Sequence, residues 1–323
     1  MTMKHDLIDN LHSLLEMNVI GSKQYNSRYI GFRSELQTLD FLEKSGRELI
    51  GGVYIIPMQN GKEIFASPSI LFMVGKGLPT EQHATLFDRL SRIQLEEMYF
   101  VSLIEDCKNW DNGIVDGFNT PILIPKCNLF SFDEDSKKFN LLGDDLGHIA
   151  KSFKPIRRRL PMEQISEDIA SKFKIQLGDF KTDDLSIMYV ERFIFDGLIG
   201  FGRERGIPTD IDSIECIGDE FMLLEIKEKD VSKRTPVGFG MDVRRIQQLR
   251  TICRRTSLPL TLVVRQVENQ KERIFMNYQT IDFYEFYKQT KNTQHIDGGH
   301  GMRSESSYNP TQICPLEFFQ TLN

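Results

Sequence analysis

Long apolar runs are missing from this chain. None approaches the roughly 18 consecutive apolar residues that a membrane-spanning helix needs, and residues 1 to 20 carry no apolar signal-peptide core. A cytoplasmic protein without a membrane partner is therefore expected. Cysteine is sparse: Cys107, Cys127, Cys216, Cys253 and Cys314 are odd in number and lack Cys-x-x-Cys spacing. That excludes a disulfide framework or a zinc site of familiar spacing and fits reduced thiols. Cys216 and Cys253 fall in apolar patterns and read as core residues. There is no glycine-rich phosphate loop, dinucleotide fingerprint or nucleophile elbow, which leaves little room for ATP-driven, redox or acyl-transfer chemistry. A formal net charge of −6 excludes a uniformly basic coat. Internal repeats and low-complexity tracts are absent as well.

What is present reads as α/β and α+β structure in two domains, since 323 residues suffice for two ordinary cores. Residues 1–150 hold 14 lysines and arginines against 21 carboxylates; residues 151–323 hold 26 against 25. The sequence KSFKPIRRRLP, with Lys151, Lys154 and Arg157 to Arg159, places prolines around a basic run and reads as the junction. In the first half, residues 5–18 have the spacing of an amphipathic helix, and residues 51–69 read as a hairpin turning at Asn60-Gly61. A helix over 80–97 starts at Thr80 as N-cap, and strands follow at MYFVSLIED, 120–125 and 129–132. Trp110, Asn112 and Gly113 read as loop residues. This α+β domain of unknown type carries no chemical motif; recognition, partner binding and dimerisation are its expected roles.

The second half is more informative. Between Gly206 and Lys227 stand two strand-like runs, GIPTDIDSIECI and FMLLEIK, joined through Gly218, Asp219 and Glu220. Side chains alternate faces along a strand, so Asp210 and Asp212 are expected to share one face, as are Glu225 and Lys227. Pairing through the Gly-Asp turn brings carboxylates and an ammonium to one end of a hairpin. Such oxygens suit a hard divalent ion, and a neighbouring lysine suits a water or a phosphate. Apolar-rich residues 184–205 read as a helix carrying Glu191. Residues 240–256 read as a helix with Val243, Ile246, Leu249 and Ile252 at helical spacing, followed by a buried strand over 260–267 and a further hydrophobic run over 273–287.

Asp212, twelve intervening residues, then Glu225-Ile226-Lys227 resembles the signature of the PD-(D/E)xK nuclease superfamily. The resemblance spans residues 184–290 and implies a restriction-endonuclease-like αβββαβ core with a mixed sheet in a domain over 151–323. Glu191 matches the acidic residue on the helix before the first catalytic strand, and Gln248-Leu249 resembles the Gln-Leu pair of RecB-like members, although Ile252 and Cys253 stand where a tyrosine follows in those. By this resemblance Asp212 and Glu225, with the Ile226 carbonyl, coordinate Mg²⁺ or Mn²⁺. Lys227 orients or activates the attacking water, Glu191 assists, and Gln248 supports the site or touches substrate. Asp210 is the alternative to Asp212, or a second ligand, because it follows Pro208-Thr209.

Residues 225–273 carry 12 basic against 6 acidic side chains, the local positive charge that phosphate binding requires. Lys229, Lys233 and Arg234 on a loop, and Arg244, Arg245, Arg250 and Arg254 on the helix, with Arg255 beside them, are the candidate contacts to a nucleic-acid backbone. His295 and His300 lie in a Gly- and Ser-rich stretch that reads as a surface loop. The expected function is a metal-dependent endonuclease acting on DNA in antiviral defence, restriction or repair. A homodimer is expected because many enzymes of the class cut duplexes as dimers, and the first half offers a surface for a partner protein. The alternative is a non-catalytic nucleic-acid-binding or interaction scaffold on the same fold. Alanine at Glu225 or Lys227 is expected to abolish cleavage and leave the fold intact, on the premise that both side chains face solvent.

Overall fold

The computed structural model describes residues 2–16, 19, 21–59, 65–115, 121–153, 165–199, 208–298 and 310–322. In chain order these form α1 (Thr2–Glu16), α2 (Ser22–Lys44), β1 (Glu48–Leu49), β2 (Val53–Pro57), β3 (Ser69–Lys76), α3 (Glu81–Ser91), β4 (Glu97–Leu103), β5 (Asp111–Gly113), β6 (Ile122–Ile124), β7 (Cys127–Asp133) and β8 (Lys138–Gly143). There follow α4 (Gly147–Ala150), α5 (Glu167–Leu177), α6 (Thr182–Arg192), β9 (Thr209–Ile211), β10 (Ser213–Ile217), β11 (Glu220–Asp230), β12 (Gly238–Asp242) and α7 (Val243–Thr256). The last are β13 (Leu260–Val267), β14 (Phe275–Asp282), α8 (Phe283–Thr290), β15 (Ile296–Asp297), β16 (Pro310–Pro315) and β17 (Gln320–Leu322). The architecture is mixed α/β with mixed sheets. Among the described residues no helix is long and apolar enough to cross a membrane.

The chain divides into two compact units, but not at residue 150: one holds 1–29 and 51–210, the other 30–50 and 211–323. The expected boundary fails because α5 and α6, which follow the proline-bracketed basic run, pack on α1. Residues 154–164 of that run lie outside the described residues, while Lys151 pairs with Asp145 at 3.3 Å.

The first unit is built on a sheet in the order β8-β7-β4-β3-β2-β9. β3 and β4 are parallel, with α3 as the crossover, and the β2–β3, β4–β7 and β7–β8 pairs are antiparallel. β2 is buried throughout and β3 in all but its last residue, the pattern of strands covered on both faces. β2 falls in the expected hairpin over 51–69, but its partner β3 begins only at Ser69, and the Asn60-Gly61 pair lies outside the described residues. Thr80 caps α3 as expected, accepting from the His83 N–H. The expected helix over 184–205 is shorter: α6 ends at Arg192 and continues as a π-helix over Phe193–Ile199. Trp110 is not loop decoration. It is buried, and its indole N–H donates to the Glu105 carbonyl at 3.1 Å.

In the second unit the sheet order is β1-β10-β11-β13-β14-β17. β10 and β11 form the expected hairpin, with Ile217 opposite Glu220 and Gly218 at φ +63° in the turn, a conformation glycine adopts without strain. α7 then crosses over so that β13 lies parallel to β11. β14 and β17 complete the sheet antiparallel to their neighbours. β12, β16 and β15 form a smaller sheet. The C-terminal half of α2 covers one face of the large sheet: Leu42 packs with Leu224, Ile226, Val263 and Tyr278. Phe41 stacks on Tyr278 at a ring separation of 4.3 Å, and Tyr278 Oη donates to the Gln37 carbonyl. Thus α2, with its carboxylates Glu35, Asp40 and Glu43, precedes the first strand of this unit's sheet.

Candidate functional site

β11 is longer than the strand beside it. β10 pairs with it only from Glu220 to Leu224, whereas β13 accompanies it from Leu223 to Asp230. Among the described residues β11 therefore has no strand partner on its β10 side from Glu225 onward, a notch in the ladder. The Leu223 N–H donates to the Pro259 carbonyl on the β13 side. Backbone groups alternate sides along a strand, so the Ile226 N–H and C=O face the notch. Asp212, the residue just before β10, fills the first of these needs: its Oδ2 accepts from the Ile226 N–H at 2.5 Å.

Asp212, Glu225 and Lys227 converge here as the sequence predicts. The Lys227 ammonium lies 2.8 Å from Glu225 Oε1 and 3.5 Å from Asp212 Oδ2, so one cation bridges both carboxylates. Glu225 and Lys227 share the face opposite Leu224 and Ile226, as strand alternation requires. Arg245, in the first turn of α7, reaches the same carboxylate: its Nε donates to Glu225 Oε1 at 2.8 Å and its Nη2 to Oε2. The Glu225 side chain is 0% exposed, whereas that of Lys227 is 36% exposed. Burial raises the pKa of Glu225, but Arg245 and Lys227 overcome it and hold the carboxyl at about 2. Glu225 is thus not solvent-facing, which removes the premise on which alanine there was expected to spare the fold. It lies beneath α7, and strand alternation alone does not disclose that cover.

One turn along α7 from Arg245, Gln248 is buried, and its Nε2 has no hydrogen-bond partner among the described residues. A buried donor without a partner costs about 1–3 kcal/mol unless water or a ligand satisfies it. Arg244 and Asp242 form the start of the helix, the Asp242 carboxylate accepting from the Arg244 N–H at 2.8 Å.

Glu191 and Asp210 belong to the first unit. Glu191 is buried on α6 and accepts from Tyr54 Oη at 3.2 Å. Nearby Arg192 and Arg28 both meet the fully buried Asp196, Arg28 at 2.6 Å and Arg192 at 3.6 Å. Burial lowers the pKa of Arg192, but Tyr54, Asp196, Glu191 and Asp210 raise it above the usual arginine range. Asp210 and Asp212 do not share a strand face as expected: Asp210 is on β9, beside β2 in the first unit's sheet, and the chain leaves that sheet at Asp212. The alternation that pairs positions two apart applies only while one strand continues.

The basic residues are distributed unevenly. Lys229 is half-buried on β11, not on a loop, and burial together with Lys227 lowers its pKa. Lys233 and Arg234 are exposed, with Arg234 donating to the Asp297 carbonyl at 3.0 Å. Arg250 and Arg254 are exposed on α7, Arg250 lying 4.6 Å over the Tyr287 ring. The cysteines are unpaired, and burial pushes the thiols of Cys127, Cys253 and Cys314 up to about 12, leaving them poor nucleophiles. His295 immediately precedes β15, and His300 lies outside the described residues.

Among the described residues no three His, Cys, Asp or Glu side chains are arranged to hold a metal. The carboxylates of Asp212 and Glu225, facing a common cation, and the notch-facing Ile226 carbonyl are the oxygens that could hold a divalent ion. Arg245 as the partner of Glu225 is legible in no local motif, because the contact joins residues twenty apart. Comparisons with known protein families, curated proteins and solved structures found no match.

Proposed function

We propose that this chain is a metal-dependent nuclease that hydrolyses phosphodiester bonds of DNA in the cytoplasm, with its site in the second unit. The observation that carries this reading is the convergence of Asp212, Glu225 and Lys227 on one cation position in the notch beside β11. The strand order β1-β10-β11-β13-β14, with a parallel β11–β13 pair crossed over by α7, supports the resemblance to the restriction-endonuclease-like core.

Asp212, Glu225 and the Ile226 carbonyl would hold Mg²⁺ or Mn²⁺. The ion, when bound, supplies charge stabilisation at the scissile phosphate and lowers the pKa of a bound water. Lys227, partly exposed beside both carboxylates, orients water or steadies a phosphate oxygen. Gln248 offers an amide donor, and exposed Lys233, Arg234, Arg250 and Arg254 supply backbone contacts that position a strand without reading its sequence. Restriction, repair and antiviral defence are the settings this chemistry fits, and cutting both strands of a duplex favours a homodimer. The test is a cleavage assay on supercoiled plasmid, linear duplex, single-stranded DNA and RNA, with Mg²⁺, Mn²⁺ or EDTA, comparing wild type with Lys227→Ala. Cutting that needs the metal and drops at least about a hundredfold in the variant supports the reading. No cutting by the wild type, or equal cutting by the variant, overturns it.

A further inference from the structure

Glu225 is already fully engaged before any metal arrives. Its Oε1 accepts from both Arg245 Nε and Lys227 Nζ, each at 2.8 Å, and its Oε2 accepts from Arg245 Nη2. The fork of a guanidinium fits a carboxylate and a phosphate by the same bidentate geometry. The charges of Asp212, Glu225, Lys227 and Arg245 cancel among themselves. A divalent ion entering this buried set alone adds two positive charges beside a guanidinium that faces the same oxygens. A phosphodiester brings negative charge and a second partner for Arg245, whose side chain, beside Glu225, is 14% exposed.

We propose that Arg245 is a phosphate-operated latch: it occupies Glu225 in the free protein and transfers to a substrate phosphate, so that metal and nucleic acid load together. The inference rests on the nuclease reading above and adds to it how the site is regulated. Loading of either ligand then raises affinity for the other by the same factor, as linkage requires. The free protein neither holds a tightly bound ion nor presents Glu225 to one.

Calorimetric titration with Mn²⁺, with and without a short phosphorothioate DNA duplex, tests this on wild type, Arg245→Gln and Arg245→Lys, each checked for folding by its thermal transition. In the wild type, the duplex is expected to tighten Mn²⁺ binding by about tenfold, within the usual range for two linked sites. Arg245→Gln is expected to bind Mn²⁺ alone about tenfold more tightly than wild type and to respond little to the duplex. Mn²⁺ binding by the wild type that the duplex does not change overturns the latch while leaving the metal site standing. Weaker Mn²⁺ binding in a folded Arg245→Gln also overturns it and makes Arg245 a support for Glu225. Absence of Mn²⁺ binding in every protein, with duplex present, overturns the nuclease reading itself. If Arg245→Gln does not fold, the wild-type titrations alone decide, and Arg245→Lys must still show the linkage, weakened by loss of the fork.

Discussion

A carboxylate with no exposure, such as that of Glu225, is ionised because Arg245 and Lys227 outweigh the cost of its burial. Removing it strands the guanidinium beneath α7, and breaking a buried pair from one side costs about 3–5 kcal/mol. Glu225→Ala is therefore expected to lose about that much in urea denaturation, whereas Lys227→Ala, partly exposed, is expected to lose no more than about 1 kcal/mol. Equal losses would remove the distinction between a buried anchor and its partly exposed partner. The same ion set dictates a pH dependence. With a folded-state pKa near 2 against 4.5 in the open chain, Glu225 contributes stability that is complete above about pH 4.5 and lost as pH falls toward 2. Denaturation midpoints measured from pH 6 to 2 are expected to fall less steeply in Glu225→Gln; a slope equal to wild type would mean that another carboxylate governs acid unfolding. Asp212, Glu225 and Lys227 were legible as a set because turn chemistry and period-two alternation fix them locally. Arg245 was legible only as a basic residue, since the carboxylate it meets is set by packing across the crossover.

At the scale of elements, the overhang of β11 past β10 creates the site, and close approaches hold its surroundings. β12 runs so near β16 that a Cβ on Gly238 would lie 1.9 Å from the Cys314 carbonyl oxygen. Gly238→Ala is expected to cost about 3 kcal/mol, the upper part of the range for overpacking, in the same denaturation measurement; a near-neutral change would mean that the small sheet shifts freely. The elements themselves were largely written in the sequence. The helix over 240–256 and the strand over 260–267 appear as α7 and β13, although 240–242 is the end of β12 and Asp242 the cap of α7. The run over 273–287 divides into β14 and α8 at Asp282, which caps the helix through the Glu285 N–H. The sequence ICPLEFFQTLN docks in part as β17, whose Leu322 packs by the Leu42 cluster. α2 and the two-residue β1 were not anticipated. A strand that short has no period to detect, and α2 earns its place by packing on Leu224 and Ile226 rather than by a local signal.

At the scale of the whole molecule, residues 51–210 are inserted between two strands that pair with each other. Leu49 lies opposite Glu215 in the β1–β10 ladder, and the Ile50 N–H donates to the Ile214 carbonyl. The ends left by excising the insertion are thus already neighbours, and closing a short loop costs little entropy. A shortened chain that joins residues 22–50 to 211–323 through a few glycines is expected to melt cooperatively with mixed helix and strand signal in circular dichroism. A broad, non-cooperative melt would mean that the second unit lacks a self-sufficient core. The sequence by itself determined the α/β class, the hairpin of Asp212, Glu225 and Lys227, and the crossover that follows, because each depends on period, turn residues and caps within a few tens of residues. The tertiary structure alone decided that the second unit draws its first helix and strand from residues 30–50, that Glu191 and Asp210 belong to the other unit, and that Arg245 closes over Glu225. Those facts depend on which distant segments bury each other's apolar faces, and no window of the chain contains both partners.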